Sequence, residues 1–167
     1  MENRKIRVGI THGDINGVGY EVILKTFSDP TMLELCTPVV YGSPKVAAYH
    51  RKAMEIQTSF SIVNSAEEVQ DGRVNVVNCI EEELKVELTK PTPEAGKAAL
   101  AALERALADY REGLFDVLVT APINKHTIQS DAFHFPGHTE YIEERVGEGQ
   151  KALMILLKGD FRVALVT

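Results

Sequence analysis

The sequence predicts an α/β fold with a mixed sheet. Residues 5–11 form an apolar strand that runs through a glycine-rich turn into a helix, which is the start of a βα unit. Residues 93–112 form a long helix that leads directly into another short apolar strand at 117–120. Further strands and helices alternate between these two units, and this alternation is typical of the α/β class.

Most elements of the first half have a local sequence signal. Thr31 is the predicted cap of a short helix, and Ser43 followed by Pro44 predicts the start of a longer one. A capping-box pattern at residues 65–68 predicts one more brief helix. We place strands at residues 38–41, 60–63 and 74–77, and expect helices to end near residues 27, 35 and 54.

The second half ends in a helix and a hairpin. Thr139 is the predicted N-cap of a helix that extends to residue 145. Two apolar strands at residues 152–157 and 161–167 are joined by a short turn, which predicts a β-hairpin.

One segment interrupts the alternation of strands and helices. Residues 80–92 are acidic and irregular, which is typical either of a surface loop or of a crossing between two subdomains. We therefore predict a first α/β subdomain over residues 1–90 and a second over residues 91–167. The chain stops on an apolar strand without a polar tail, and this ending favours a chain cut from a longer protein.

Composition narrows the class of protein. The 167 residues carry a net charge of −6, which argues against a nucleic-acid partner because phosphate neutralisation needs clustered Lys and Arg. No apolar run approaches the roughly 20 residues that span a bilayer, and the N-terminus lacks the apolar segment of a signal peptide. Cys36 and Cys79 are isolated and predict reduced thiols. We expect a cytoplasmic protein with no membrane partner.

Candidate functional side chains are concentrated in residues 116–140. A buried strand opens this stretch, and Lys125 lies at its carboxyl end. Ligands of open α/β sheets bind just outside the carboxyl ends of strands, so the stretch predicts a site. Further along, Pro136 and Gly137 forbid a regular element and expose His138 at the start of a helix.

His138, Thr139 and Lys125 are the predicted substrate-binding residues. A helix start with small polar side chains suits the carboxylate or phosphate of a ligand, and we expect His138 and Thr139 to face a cleft. Lys125 would supply the opposing charge, although a solvated surface lysine is an equally good interpretation on local grounds.

Three histidines, at positions 126, 134 and 138, raise the question of a metal site. The spacing of His134 and His138 would align them on a helix, but the Pro-Gly pair between them removes that helix. We therefore expect no preformed metal site, and interpret His134 as a packed or capping histidine beside two phenylalanines.

The glycine-rich turn at residues 12–21 has two open interpretations. Its G-x-x-x-G-x-G spacing differs from the G-x-G-x-x-G dinucleotide fingerprint, and the chain has no GK[ST] phosphate loop. On local grounds the glycines serve a tight turn about as often as a ligand cradle.

Four motifs resemble those of one family. Residues 11–21, THGDINGVGYE, resemble the T-P-G-D-P-A-G-I-G-P-E of 4-hydroxythreonine-4-phosphate dehydrogenases, the PdxA family of vitamin B6 synthesis. Residues 120–125, TAPINK, and residues 135–140, FPGHTE, match motifs of that family closely. The closing RVALVT, residues 162–167, resembles its R-V-A-L-x-T. The motifs follow the order that they have in the family.

The resemblance implies NAD-dependent oxidation of 4-phosphohydroxy-L-threonine at its secondary alcohol, followed by loss of carbon dioxide from the β-keto acid. It also implies a homodimer of α/β/α subunits similar to isocitrate and isopropylmalate dehydrogenases. A divalent metal (zinc, magnesium or cobalt) would polarise the reacting oxygen. In the family, the His and Thr of G-H-T-E contact the substrate, and by resemblance this role belongs to His138 and Thr139.

This chain departs from the family pattern in two ways. His12, Ile15, Asn16 and Tyr20 stand where the first motif has Pro, Pro, Ala and Pro, so the rigidity of the loop differs. Family members are also considerably longer, and their metal ligands and cofactor contacts come after the point where this chain stops. We therefore expect the 167-residue chain to be the N-terminal part of such an enzyme, without metal ligands and inactive by itself.

Two alternatives remain open at this point. Relatives that oxidise four-carbon sugar-acid phosphates of the threonate or erythronate type share these motifs. A non-catalytic binding or assembly module is the alternative from a different class. A reading frame that continues with T-H-x-P-L after Thr167 would favour the enzyme, and a stop codon there would favour the module.

Overall fold

The computed structural model describes residues 4–166 and contains a five-stranded sheet. Its strands are β1 (Ile6–Thr11), β2 (Cys36–Gly42), β3 (Phe60–Val63), β4 (Val74–Asn78) and β5 (Val117–Thr120). They lie in the order β3-β4-β2-β1-β5, and every neighbouring pair is parallel. The predicted α/β class is confirmed.

The predicted hairpin forms a separate sheet. β6 (Met154–Lys158) and β7 (Phe161–Leu165) pair with each other in antiparallel fashion. The expected mixed sheet is therefore realised as two sheets, one parallel and one antiparallel. Thr167, the last residue of the predicted strand, lies outside the described residues, as do residues 1–3.

Between residues 4 and 166, five helices and a 3₁₀ turn at Ala66–Glu68 connect the strands. Ser43 caps its helix as predicted, because its side chain accepts a hydrogen bond from the Val46 N–H. The predicted cap at Thr31 is wrong, because Asp29 accepts from the Thr31 N–H and Pro30 occupies the first helical position. The helices are α1 (Gly19–Thr26), α2 (Pro30–Leu35), α3 (Pro44–Ala53), α4 (Pro93–Arg111) and α5 (His138–Val146).

Alternate residues of the parallel strands face opposite helical layers. Val40 and Val76 belong to an apolar cluster with residues of α1 and α3. The neighbouring Val39 and Val77 belong to a second cluster with Ala102 and Ala106 of α4. Because successive side chains of a strand point to opposite faces, helices cover both sides of the sheet and give the expected α/β/α layers.

The chain divides into two compact units, Met1–His134 and Phe135–Thr167. In the first unit, β5 pairs with β1, and α4 contacts both β1 and β2. The boundary predicted near residue 90 therefore falls inside the first unit. The second unit contains α5 and the hairpin.

Apolar residues are exposed on the hairpin. Every residue of β6 and β7 is exposed, and Leu157 and Phe161 keep 70% and 71% of their surface accessible. Within residues 4–166, no helix combines the length and the apolar character that crossing a membrane requires.

Candidate substrate site

The carboxyl ends of β1 and β5 lie side by side in the first unit. The Ala121 N–H donates to the Thr11 carbonyl at 3.1 Å, and the Asp14 N–H donates to the Pro122 carbonyl at 2.9 Å. β2 lies on one side of β1 and β5 on the other, so the strand order reverses between β1 and β5. Such a switch point is where open α/β sheets bind ligands. The stretch after β5, which contains Lys125, therefore begins where the sequence placed it.

The glycines of the first loop pack against the protein's own backbone. Gly13 has a φ of +72°, and a β-carbon there would overlap the Pro122 carbonyl oxygen. A β-carbon on Gly19 would overlap the His12 carbonyl oxygen. These two glycines therefore serve a tight turn.

The four residues that depart from the family's first motif are buried. The Tyr20 hydroxyl accepts from the Ser43 N–H at 2.9 Å and donates to the Ser43 carbonyl at 3.1 Å. The His12 ring stacks on Tyr20 with centroids 5.3 Å apart, and Tyr20 stacks on His50 at 5.5 Å. His50 Nε2 lies 2.8 Å from the Ile15 carbonyl oxygen. These residues thus form one connected cluster.

Asn16 fixes the irregular segment 79–92 to the first loop. Its side-chain oxygen accepts from the Glu87 N–H at 2.8 Å, and its Nδ2 donates to the Lys90 carbonyl at 2.9 Å. The same Nδ2 lies 3.2 Å from the hydroxyl of Thr92, the N-cap of α4. Sequence reasoning missed this role, because the partners lie more than seventy residues away.

Lys125 and His126 are exposed on the turn that follows β5. Among the described ion pairs, none involves Lys125. His134 is also exposed, so its interpretation as a packed or capping residue is wrong. The neighbouring Phe133 is fully buried, and it exchanges two backbone hydrogen bonds with Ser130.

His138 and Thr139 lie at the start of α5 in the second unit. Gly137 is the N-cap, with an extended backbone, so the predicted capping role of Thr139 is wrong. Thr139 instead occupies the second helical position, where its side chain is exposed, while His138 is half-buried. Phe135 packs edge-to-face on the buried Tyr141, with ring centroids 5.2 Å apart, and so holds the helix start.

The described residues do not by themselves fit a metal. Among residues 4–166, no group of three or more His, Cys, Asp or Glu side chains could hold an ion. Structural and catalytic metal sites need three or four such ligands, so we derive no catalytic step through a metal here.

Comparisons with known proteins agree with the motifs. A sequence profile described as Pyridoxal phosphate biosynthetic protein PdxA matches residues 34–167. A 4-hydroxythreonine-4-phosphate dehydrogenase of Bacteroides thetaiotaomicron is 75% identical over 167 residues, which are 100% of this chain and 46% of that protein. A D-threonate 4-phosphate dehydrogenase of Cupriavidus necator is 30% identical over 152 residues, or 89% of this chain and 45% of that protein.

A solved structure has the same fold. The crystal structure of a 4-hydroxythreonine-4-phosphate dehydrogenase from Burkholderia phymatum matches with a TM-score of 0.83 and 27% identity. The match covers 97% of this chain and 49% of that one. The chain thus spans about half the length of the relatives it matches. The profile covers most of the chain, and on this basis the chain belongs to the PdxA family.

Proposed function

We propose that this chain is part of a cytoplasmic, homodimeric dehydrogenase of pyridoxal 5'-phosphate biosynthesis. Its substrate would be 4-phosphohydroxy-L-threonine, which is oxidised with NAD and then loses carbon dioxide. The observation that carries this proposal is the 75% identity, over all 167 residues, to a relative named 4-hydroxythreonine-4-phosphate dehydrogenase. The two free thiols support the cytoplasmic location.

Three residues would bind the substrate. His138 and Thr139 would donate hydrogen bonds to it, and the Lys125 ammonium would bind its phosphate. Lys125 is exposed and has no ion-pair partner among the described salt bridges, so its charge is available to an anion. A Lys ammonium is a compact point charge that suits phosphate.

NAD and a divalent metal are proposed from the family alone. Gly13 and Gly19 of the first loop pack against the protein's own backbone, and the described residues contain no metal cluster. The residues of this chain are therefore assigned to binding and orienting the substrate, and no proton or hydride step is derived from them.

A second candidate substrate is D-threonate 4-phosphate. The observation that favours it is the 30% identity to a relative with that activity in its name. The two substrates share a four-carbon acid with a terminal phosphate and differ at the second carbon, which carries an amino group in one and a hydroxyl in the other. A phosphate-binding Lys125 would serve both equally well.

Steady-state NADH formation with both substrates tests the proposal. In the protein as its gene encodes it, with a divalent metal, we expect the amino substrate to give the higher kcat/KM. Lys125→Gln should lower kcat/KM about 10- to 100-fold, because a hydrogen bond to a charged group contributes about 1.5–3 kcal/mol. Lys52→Gln, an exposed lysine on α3, is the control. An unchanged kcat/KM in Lys125→Gln would contradict the assigned role.

The polypeptide of these 167 residues provides a separate test. Because its described residues hold no metal cluster, we expect it to form no NADH by itself. Turnover by this polypeptide, with NAD and a divalent metal supplied, would show that the expectation is wrong.

A further inference from the structure

We infer that Asn124 and Gly96 are positioning residues that fix the backbone of Lys125 for phosphate binding. The inference rests on the proposed function, because it deepens the role given there to Lys125. It depends on the turn of residues 124–128 and on the helix against which this turn packs.

Asn124 closes the turn around Lys125 with its side chain and its backbone. Its Oδ1 accepts from the His126 N–H at 3.0 Å and from the Thr127 N–H at 3.3 Å. Its carbonyl accepts from the Ile128 N–H at 3.2 Å and from the Thr127 hydroxyl at 3.3 Å. Asn favours such turns because its short side chain reaches backbone N–H groups two and three residues ahead. The described contacts use Asn124 as a hydrogen-bond acceptor.

Gly96 provides the surface on which the far end of the turn rests. It lies in the first turn of α4, and glycine is a poorer helix former than alanine. A β-carbon at this position would overlap the Thr127 carbonyl and lie 2.9 Å from the Ile128 nitrogen. The turn approaches α4 so closely that only a residue without a β-carbon fits at position 96. Ile128, which is 2% exposed, anchors this end in the core.

The near end of the turn is also fixed. The Pro122 carbonyl accepts from the Asp14 N–H at 2.9 Å, which holds the chain two residues before Asn124. The backbone on both sides of Lys125 is therefore held, while the lysine side chain is exposed. A preformed backbone lowers the entropy cost of placing the ammonium on a ligand, and a misplacement of about 1 Å can cost 10²-fold in rate.

Two substitutions at Asn124 test the inference in the protein as its gene encodes it. We expect Asn124→Ala to raise KM for 4-phosphohydroxy-L-threonine about tenfold and to leave kcat within about threefold. Asn124→Ser should keep KM within about threefold, because a hydroxyl can accept the same N–H groups without adding charge. Hydrogen exchange of the His126 and Thr127 amides should accelerate in the alanine variant and stay near the original rate in the serine variant.

Gly96→Ala is a second test with a matched control. It should raise KM as Asn124→Ala does and accelerate exchange at Ile128, because the new methyl group displaces the turn. Gly113→Ala, at the end of α4, meets no atom within 4 Å but strains a backbone with a φ of +71°. It should lower stability and leave KM unchanged. If Gly96→Ala does not fold, the Asn124 pair decides the question.

The outcomes separate this inference from the proposed function. If Lys125→Gln raises KM and Asn124→Ala does not, the positioning role is wrong and the phosphate role stands. If Asn124→Ser raises KM as much as Asn124→Ala does, the Asn124 amide acts through something other than the turn. The inference is then overturned. If Lys125→Gln leaves KM unchanged, the phosphate role of Lys125 and the positioning role both fail, while NADH formation by the unaltered protein still tests the proposed activity.

Discussion

At the scale of single residues, His12 is the most unusual group in the first loop. It is fully buried, and neither of its ring nitrogens has a hydrogen-bond partner among the described residues. Burial lowers the pKa of His12 from 6.5 to about 4, and nearby backbone carbonyl groups oppose this shift only in part. The folded protein therefore holds a neutral imidazole at pH values where an unfolded chain would already bind a proton.

This shift predicts a loss of stability in mild acid. The contribution of His12 is fully present above pH 6.5, and is lost as the pH falls from 6.5 to about 4, because the unfolded state takes up the proton first. We expect His12 alone to lower the free energy of unfolding by about 2 kcal/mol between pH 7.5 and pH 5. Urea unfolding at the two pH values measures the difference.

A variant with a non-titrating ring at position 12 tests whether His12 causes this loss of stability. His12→Phe keeps an aromatic ring beside Tyr20 and removes the titrating group, so the difference between the two pH values should shrink by about the same amount. His126→Gln, on an exposed residue, is the control and should leave the difference unchanged. An undiminished pH dependence in His12→Phe would exclude His12 as its source.

At the scale of elements, the Asn16 side chain helps to place segment 79–92, together with Ile80, Leu84 and Val86, which pack against the core. It contains no regular helix or strand, and Asn16 holds its backbone at Glu87 and Lys90. The Thr89 N–H donates to the Asn16 carbonyl at 2.9 Å. An irregular segment without such partners would be free to leave the surface.

Asn16→Ala, which restores the residue of the family motif, should therefore destabilise this protein. The substitution leaves the Glu87 N–H and the Lys90 carbonyl without their partner, at a cost of about 1–3 kcal/mol. We expect faster proteolysis within segment 79–92 and a lower urea midpoint. Asn78→Ala removes one 3.4 Å hydrogen bond at an exposed residue and is the control. Equal behaviour of the two variants would contradict the role of Asn16.

The elements themselves could be predicted from sequence to a large extent. Strands and helices follow local signals, such as Ser43 before Pro44, whose effects are confined to neighbouring residues. The roles of Asn16 and Asn124 could not be predicted, because a short amide side chain fits many turns and its partners depend on the fold. The polar sequence of segment 79–92 predicts a boundary near residue 90. Polarity does not reveal that a distant side chain holds this segment.

The sequence predicts which residues form the candidate site, and their role in binding stays a prediction. The FPGHTE motif predicts His138 and Thr139 as site residues, and the Pro-Gly pair predicts that His138 is exposed, whereas the structure shows it half-buried. The N-cap was assigned to Thr139 because threonine is the commoner capping residue, whereas Gly137 adopts the extended backbone and takes that position. His134 lies next to a buried phenylalanine, which suggested that His134 is packed as well. In an irregular segment, however, a residue can be exposed although its neighbour is buried.

At the scale of the whole molecule, the hairpin is the largest departure from a well-covered fold. Both of its strands are exposed along their full length, and most of their side chains are apolar. Exposed apolar strands with free edges are prone to pair with other chains.

The polypeptide of these 167 residues should therefore self-associate as its concentration rises. Phe161→Lys, at the most exposed aromatic position of the hairpin, should shift the population towards monomer, because charges on an edge strand oppose pairing. Leu35→Lys, on an isolated exposed leucine of α2, should have little effect. Sedimentation velocity over a range of concentrations distinguishes these cases, and equal association in both variants would exclude the hairpin as the contact.

The position of β1 between β2 and β5 has a consequence for biosynthesis. β1 leaves the ribosome well before β5, because their pairing joins residues that lie about a hundred positions apart, and the Arg7–Asp116 hydrogen bond beside these strands spans 109 residues. At a synthesis rate of roughly 5–20 residues per second, one edge of β1 stays unpaired for on the order of 5 to 20 seconds before β5 is made. During that interval the nascent chain exposes the unpaired edge of β1. A chaperone that binds this edge would prevent its pairing with other chains.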